Sequence, residues 1–271
     1  MPVRFLPTPA APTRLLAILA ALVVVGIATA FALRPPAQAP ARRAPPPGWP
    51  STFAWTWNRD EDLRFLPPGA GIAAVQLSIE LEDRQVRVRA NHGTWLAPTN
   101  AFVLPVVHID AFERWRPALD AAQEDAVVAT IVSIGGQSRA GAVQVDFEAA
   151  PGQRAFYRRV LARVRERLPS AWVSITALAS WCVDDRWTSD LPVDDVVAMA
   201  FRLGRDAPAY RREIGSLARW PAADCTSTGI AADEARLRLP TSRSLFLFSP
   251  RPWTAATWQA TLAPLRTGDP E

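Results

Sequence analysis

The chain has 271 residues, 49% hydrophobic and 21% charged, enough for a sizeable core and too apolar to be disordered throughout. All positive residues are arginine, which excludes a Schiff-base or P-loop lysine, and two His with two Cys are too few for the usual zinc clusters. The formal net charge of +4 comes from the leader: residues 1–50 hold five arginines and no acid, so the body has no basic surplus and nucleic acid is not an expected partner.

Leu15 to Leu33 is an uncharged run rich in Leu, Ala, Val and Ile, preceded by Arg4 and Arg14. At ~1.5 Å rise per residue it approaches the span of a hydrocarbon core. A cleaved signal peptide would have a shorter apolar region of ~7–15 residues and a small-x-small site. Ala28-Thr29-Ala30 and Ala30-Phe31-Ala32 both supply such a site. The length favours an uncleaved anchor, and either reading places the body outside the cytoplasm. Residues 1–34 are therefore read as signal peptide or membrane anchor. Residues 35–50 (PPAQAPARRAPPPGWP) are a semi-rigid proline-rich linker, and 51–271 are the folded domain.

In chain order, the strand candidates are Thr52–Trp57, Gly71–Ile79 with a hairpin extension to Arg89, and Phe102–Asp110. Ala142–Ala149, Trp172–Ser180, Val196–Phe201, Thr226–Ala232 and Ser244–Phe248 follow. Helical patterns fall at Ala118–Val132, Gln153–Leu168, Ala207–Ala218 and Thr254–Leu265. The clearest is Gln153–Leu168: Phe156, Val160, Leu161, Val164 and Leu168 form one stripe, arginines the other, and Pro169 ends it. Eight strands alternating with helices predict an α/β fold, a lean (β/α)8 TIM-like barrel behind the N-terminal transmembrane or signal helix. An open doubly wound sheet would need a phosphate loop, and Gly135-Gly136 is not GxGxxG.

In such a barrel, chemistry belongs at the C-terminal strand ends, where acids and aromatics gather in this chain. The fourth strand is the sharpest signal. Gln144, Asp146 and Glu148 are two apart and share the inward face, while Val143, Val145 and Phe147 face helices. Neighbouring carboxyls resist joint ionisation, so one retains a proton near neutral pH, as glycoside hydrolysis requires. The bland alternative is a salt-bridged pair, with Arg202 as the natural partner. Trp57, Trp181 and Trp253 fall at strand ends, where indoles can line a sugar cleft or fill core. Asp110 and Asp233 end their strands and would shape the pocket with Arg202. His108 shares a face with Asp110 and reads as a satisfied interior histidine. His92 sits in a polar loop, and no Ser fits a GxSxG elbow. Cys182 and Cys225 fall at opposite ends of a barrel by this strand assignment, so their pairing stays open.

The ordered segments AVQVDFEAA, WVSITALASWC, VVAMAFRLG, STGIAADE and SLFLFSPRPWT resemble the bacterial family of unknown function DUF3142, over most of residues 52–258. That name implies no activity. The third and fourth strands are also distantly similar to chitinase-type glycosidase barrels. Their fourth strand carries D-x-D-x-E, with the Glu as general acid and the middle Asp orienting the substrate acetamido group. Matched by position, these are Gln144, Asp146 and Glu148, and Trp253 resembles the sugar-stacking Trp of that group. Gln144 replaces the first Asp. Met199-Ala200-Phe201-Arg202 stands where that group has a Tyr and an Asp. The leader, the strand-end residues and the resemblance together predict an exported, membrane-tethered glycoside hydrolase-like barrel acting on or binding envelope carbohydrate. Glu148 and Asp146 would be catalytic, and Trp57, Asp110, Gln144, Trp181, Arg202, Asp233 and Trp253 would bind substrate, with no cofactor. The alternatives are a catalytically inactive glycan-binding or structural barrel, or a Mg²⁺ or Ca²⁺ site built from Asp110, Asp146, Glu148 and Asp233.

Overall fold

The computed structural model describes residues 43–185, 187–235 and 237–267. The apolar leader and the first part of the proline-rich segment lie outside these residues. Among the described residues no helix is long and apolar enough to cross a membrane.

Eight parallel strands close into a barrel. They are β1 (Thr52–Thr56), β3 (Gly71–Glu82), β6 (Phe102–Asp110), β7 (Ala142–Asp146), β8 (Trp172–Leu178), β9 (Asp195–Met199), β10 (Cys225–Ala231) and β11 (Leu245–Phe248). The β1–β3 ladder, with Phe53 opposite Gly71 and Thr56 opposite Ala74, joins the two ends of the sheet. β3 rises beyond the barrel and turns back as β4 (Gln85–Ala90), its antiparallel partner. The short strands β2 (Glu61–Asp62) and β5 (Trp95–Leu96) form a separate parallel pair.

The expected alternation of strand and helix holds only in part. Helices α1 (Ala121–Gly136), α2 (Arg154–Arg167), α3 (Ala207–Ser216) and α4 (Ala255–Thr267) follow β6, β7, β9 and β11. Between β8 and β9 the chain makes a π-turn at Trp181–Asp185 and a 3-10 turn at Trp187–Asp190 instead of a helix. This economy is how about 220 residues close a barrel that typically uses ~250.

Period-2 alternation sorts the strand residues into layers. Phe53, Trp55, Val75, Leu104, Val106, Trp172, Val197, Phe246 and Phe248 fill the barrel interior. Val107, Ile109, Val143, Val145, Phe147, Val173 and Ile175 point outward beneath α1 and α2. Each fully buried side chain of this size is worth ~1.5–3 kcal/mol. Interior aromatics stack in pairs, Phe53 on Phe246 and Trp55 on Phe248, each at 4.5 Å between ring centres. Gly71 permits this close approach: a Cβ there would stand 2.5 Å from the Phe53 ring and 2.7 Å from Pro50. α1 begins at Asp120, whose side chain accepts from the Gln123 amide, and α2 stops just before Leu168-Pro169.

The N-terminal face is sealed by the last residues of the proline-rich segment. Trp49 packs edge-on against Phe53 and Phe102, tilts against Trp172, and donates from Nε1 to Ser244 Oγ at 3.0 Å. A depression of about 1070 Å³ lies on this face, lined by Pro45–Pro47, Pro67, Pro68, Arg139 and Trp172. Cys182 and Cys225 form a disulfide, with their Cα atoms 5.9 Å apart. The difficulty with opposite barrel ends disappears because the chain after β8 folds back down the outside. The Cys182 carbonyl there accepts from the Ala222 amide at 3.0 Å.

Candidate functional site at the C-terminal mouth

On β6 the inward positions run Leu104, Val106, His108, Asp110, and on β7 they run Ala142, Gln144, Asp146. The ladder pairs His108 with Asp146. His108 Nδ1 lies 2.7 Å from Asp146 Oδ2, and its Nε2 lies 3.3 Å from Asp110 Oδ1. Asp146 Oδ1 accepts from Thr176 Oγ1 at 2.5 Å. Burial works against a charge on the imidazole, but its bonds to Asp110 and Asp146 and their charges overcome it and bring the pKa up to about 10. At neutral pH His108 is an imidazolium donating from both nitrogens. Asp146, only 4% exposed, has both oxygens committed. Trp57 stands edge-on against the His108 ring at 5.7 Å and covers it.

Glu148 lies two residues beyond Asp146. Phe147 between them is buried in the outer layer, and Glu148 stands just past the end of β7, in a turn where the Ala149 amide donates to the Phe147 carbonyl at 2.9 Å; the charges of Asp146, His108 and Asp110 all act on its carboxyl, which puts it at the mouth. It is solvent-exposed and, among the described residues, accepts no hydrogen bond and joins no ion pair. Its carboxyl pKa is raised, first by partial enclosure in the rim, then by the charge of Asp146 and, less, of Asp110; the His108 cation pulls the other way. The site therefore holds one carboxyl that keeps its proton to higher pH beside one whose two oxygens are both engaged.

One wall of the mouth is the β3–β4 hairpin. The register sets Ser78 beside His108 and Glu80 beside Asp110. Arg89 Nε binds Glu80 at 2.6 Å and Arg87 pairs with Glu82, so this wall is charge-balanced. Beyond Asp110 the rim carries exposed Phe112, edge-on to Trp115 at 4.6 Å, with the Arg114 guanidinium 4.2 Å above the Phe112 ring. Below the mouth, Gln144 donates to Ser174 at 2.9 Å and Ser174 to Asp195 at 3.2 Å. Burial pushes the Asp195 carboxyl up, while Thr226, Ser227 and Arg243 pull it down.

The structure gathers Asp110, Asp146, Glu148 and Trp57 at the mouth and sets Gln144 in the buried layer beneath them. It separates the others. Arg202 forms its ion pairs with Asp233 at 2.9 Å and Glu234 at 3.5 Å on the rim, so it neutralises neither β7 acid. Trp181 and Trp253 offer no face to a ligand. Trp181 is 2% exposed and packs on Trp187 outside the barrel, and Trp253 is 3% exposed and donates from Nε1 to the Trp55 carbonyl at 3.0 Å. Both anchor loops against the barrel wall, a use of indole that a strand-end position alone does not distinguish from cleft lining. Among the described residues no group of three or more His, Cys, Asp or Glu is placed to hold a metal ion.

His108 is, as expected, a satisfied interior histidine, bonded to Asp146 and Asp110, and Thr176, Phe112 and Trp115 stand at the mouth without having been among its expected residues. The period-2 phase of WVSITALAS already put Thr176 on the inward face beside Asp146. His108 drew its importance from a cross-strand partner that no local pattern names. Comparison with protein-family models, curated proteins and solved structures gave no match to this chain.

Proposed function

We propose that the mouth is the active site of a glycoside hydrolase acting on an envelope carbohydrate, with Glu148 as the proton donor. The observation that carries this reading is the unpaired, mouth-facing Glu148 carboxyl beside the hydrogen-bonded Asp146. Glu148 gives its proton to the glycosidic oxygen as the bond to the leaving sugar breaks. Asp146 is a positioning residue: its negative charge, fixed by His108 and Thr176, helps keep that proton on Glu148. Trp57, Phe112 and Trp115 offer aromatic surface for sugar rings. The likeness of Asp146 and Glu148 to the fourth-strand acids of chitinase-type barrels supports the same assignment.

The alternative of an inactive glycan-binding barrel drew its strength from Arg202 as a neutralising partner of Glu148. Arg202 is committed to Asp233 and Glu234 instead, which favours catalysis. The Cys182–Cys225 disulfide supports export to an oxidising compartment, with residues 1–34 as anchor or cleaved leader.

The test is release of reducing ends from glycol chitin, chitosan, peptidoglycan and xylan by the wild-type protein and by Glu148→Gln. The wild type cleaves at least one, and the variant loses ~10²–10⁴-fold in kcat. Full turnover in the variant would remove Glu148 from the chemistry. Saturable binding without product from the wild type would establish the inactive barrel instead.

A further inference from the structure

Glycoside hydrolysis with a protein nucleophile needs two carboxyl groups that can reach the sugar, and Asp146 is poorly suited to be the second. Its Oδ2 is bound to His108 and its Oδ1 to Thr176, and its side chain is 6% exposed. Asp110 differs on each count. Only its Oδ1 is engaged, by the longer 3.3 Å contact to His108 Nε2; its Oδ2 accepts no hydrogen bond among the described residues, and its side chain is 25% exposed. His108 and Asp146 are ladder partners; Asp110 lies two residues on, at the end of β6, and Glu148 two residues past the end of β7. The Asp110 charge acts on the Glu148 carboxyl, so the two share the mouth. Retaining glycosidases use such a close pair of carboxyls, ~5–5.5 Å apart, where inverting ones need ~6.5–9.5 Å to admit a water.

We infer that Asp110 is the catalytic nucleophile of this site, paired with Glu148 across neighbouring strands, and that Asp146 serves only to position. The inference rests on the glycosidase reading above and adds the second reacting group. Asp110 Oδ2 forms a bond to the anomeric carbon as the glycosidic C–O bond breaks, and Glu148 passes its proton to the departing oxygen. Water then attacks the glycosyl ester, Glu148 takes the proton from that water, and Asp110 leaves as a carboxylate. Nothing in this sequence requires an acetamido group on the sugar. His108, donating to Asp110 Oδ1, orients the nucleophile and leaves Oδ2 free to react.

The experiment uses the polysaccharide of the four above that the wild type cleaves. Asp110→Asn is expected to lose at least ~10²-fold in kcat with KM little changed. In the truncated Asp110→Ala variant, added sodium azide should restore ~10-fold or more of the loss and yield a glycosyl azide of inverted anomeric configuration, because the small anion fills the space the carboxylate left. Asp146→Ala should also slow turnover but gain nothing from azide. As a check independent of variant folding, carbodiimide coupling of glycinamide to the wild type, mapped by peptide mass, should modify Asp110 and Glu148 and spare Asp146. An Asp110→Asn variant with near wild-type kcat, azide rescue at Asp146 instead, or preferential labelling of Asp146 would overturn the inference while leaving Glu148 as acid untouched. Failure of the wild type to cleave any of the four would overturn both.

Discussion

His108 carries two carboxylates on one ring, and this sets both the chemistry and the pH response of the mouth. Its pKa, raised to about 10 from 6.5, means that the folded state holds a proton the unfolded chain releases. The resulting stability is fully present below pH 6.5 and is lost as pH rises to 10. A His108→Gln variant should be less stable by about 3 kcal/mol at pH 6, because it leaves buried carboxylates without a cation, and its stability should fall less between pH 6 and pH 10. Urea denaturation at both pH values measures this; an unchanged pH slope in the variant would show that His108 is not the titrating group. At this scale the sequence was legible in pairs only. H-x-D puts His108 and Asp110 on the inward face of β6, and D-x-E puts Asp146 on that of β7 with Glu148 just past its end. Which acid is locked and which is free depends on the register between strands, and that register is a property of the closed barrel.

The strands themselves were visible as short apolar runs, and most observed limits lie close to the expected ones; the exception is β7, which ends at Asp146, so that Phe147 to Ala149, read as its last residues, lie in the turn beyond it. The pair β2–β5 was not visible, since two-residue strands leave no periodic trace. The connection from β8 to β9 was the least legible element. It reads as a loop with two tryptophans, and only the structure shows it folding down the wall to bring Cys182 to Cys225. The bridge spans 43 residues, for which loop-closure entropy suggests about 4 kcal/mol. Cys182→Ala with Cys225→Ala should lower the melting temperature accordingly and loosen the segment carrying Trp181 and Trp187. Hydrogen exchange confined to that segment would locate the effect, and an unchanged melting temperature would mean that packing alone holds it.

The whole barrel has two unlike ends. The C-terminal mouth holds His108 and its acids, while the N-terminal floor is closed by aromatics, with Trp49 at its centre. The depression of about 1070 Å³ on the floor has no carboxylate in its lining, so it stands apart from the chemistry of the mouth. Trp49→Ala should cost about 3 kcal/mol by opening the floor and leaving Ser244 without its indole donor, and should leave turnover at the mouth unchanged below the melting transition. Proline content marked this segment as a spacer, but one tryptophan at its end ties it into the barrel. The claim on which the functional account turns is that the barrel mouth keeps the Glu148 carboxyl protonated above its ordinary range. The direct measurement is a ¹³C NMR titration of the glutamate side-chain carboxyls, with Glu148 assigned by its loss in Glu148→Gln. The account predicts a midpoint above 4.5 that falls when Asp146 is replaced by Asn; a midpoint at or below 4.5, unmoved by that replacement, would contradict it.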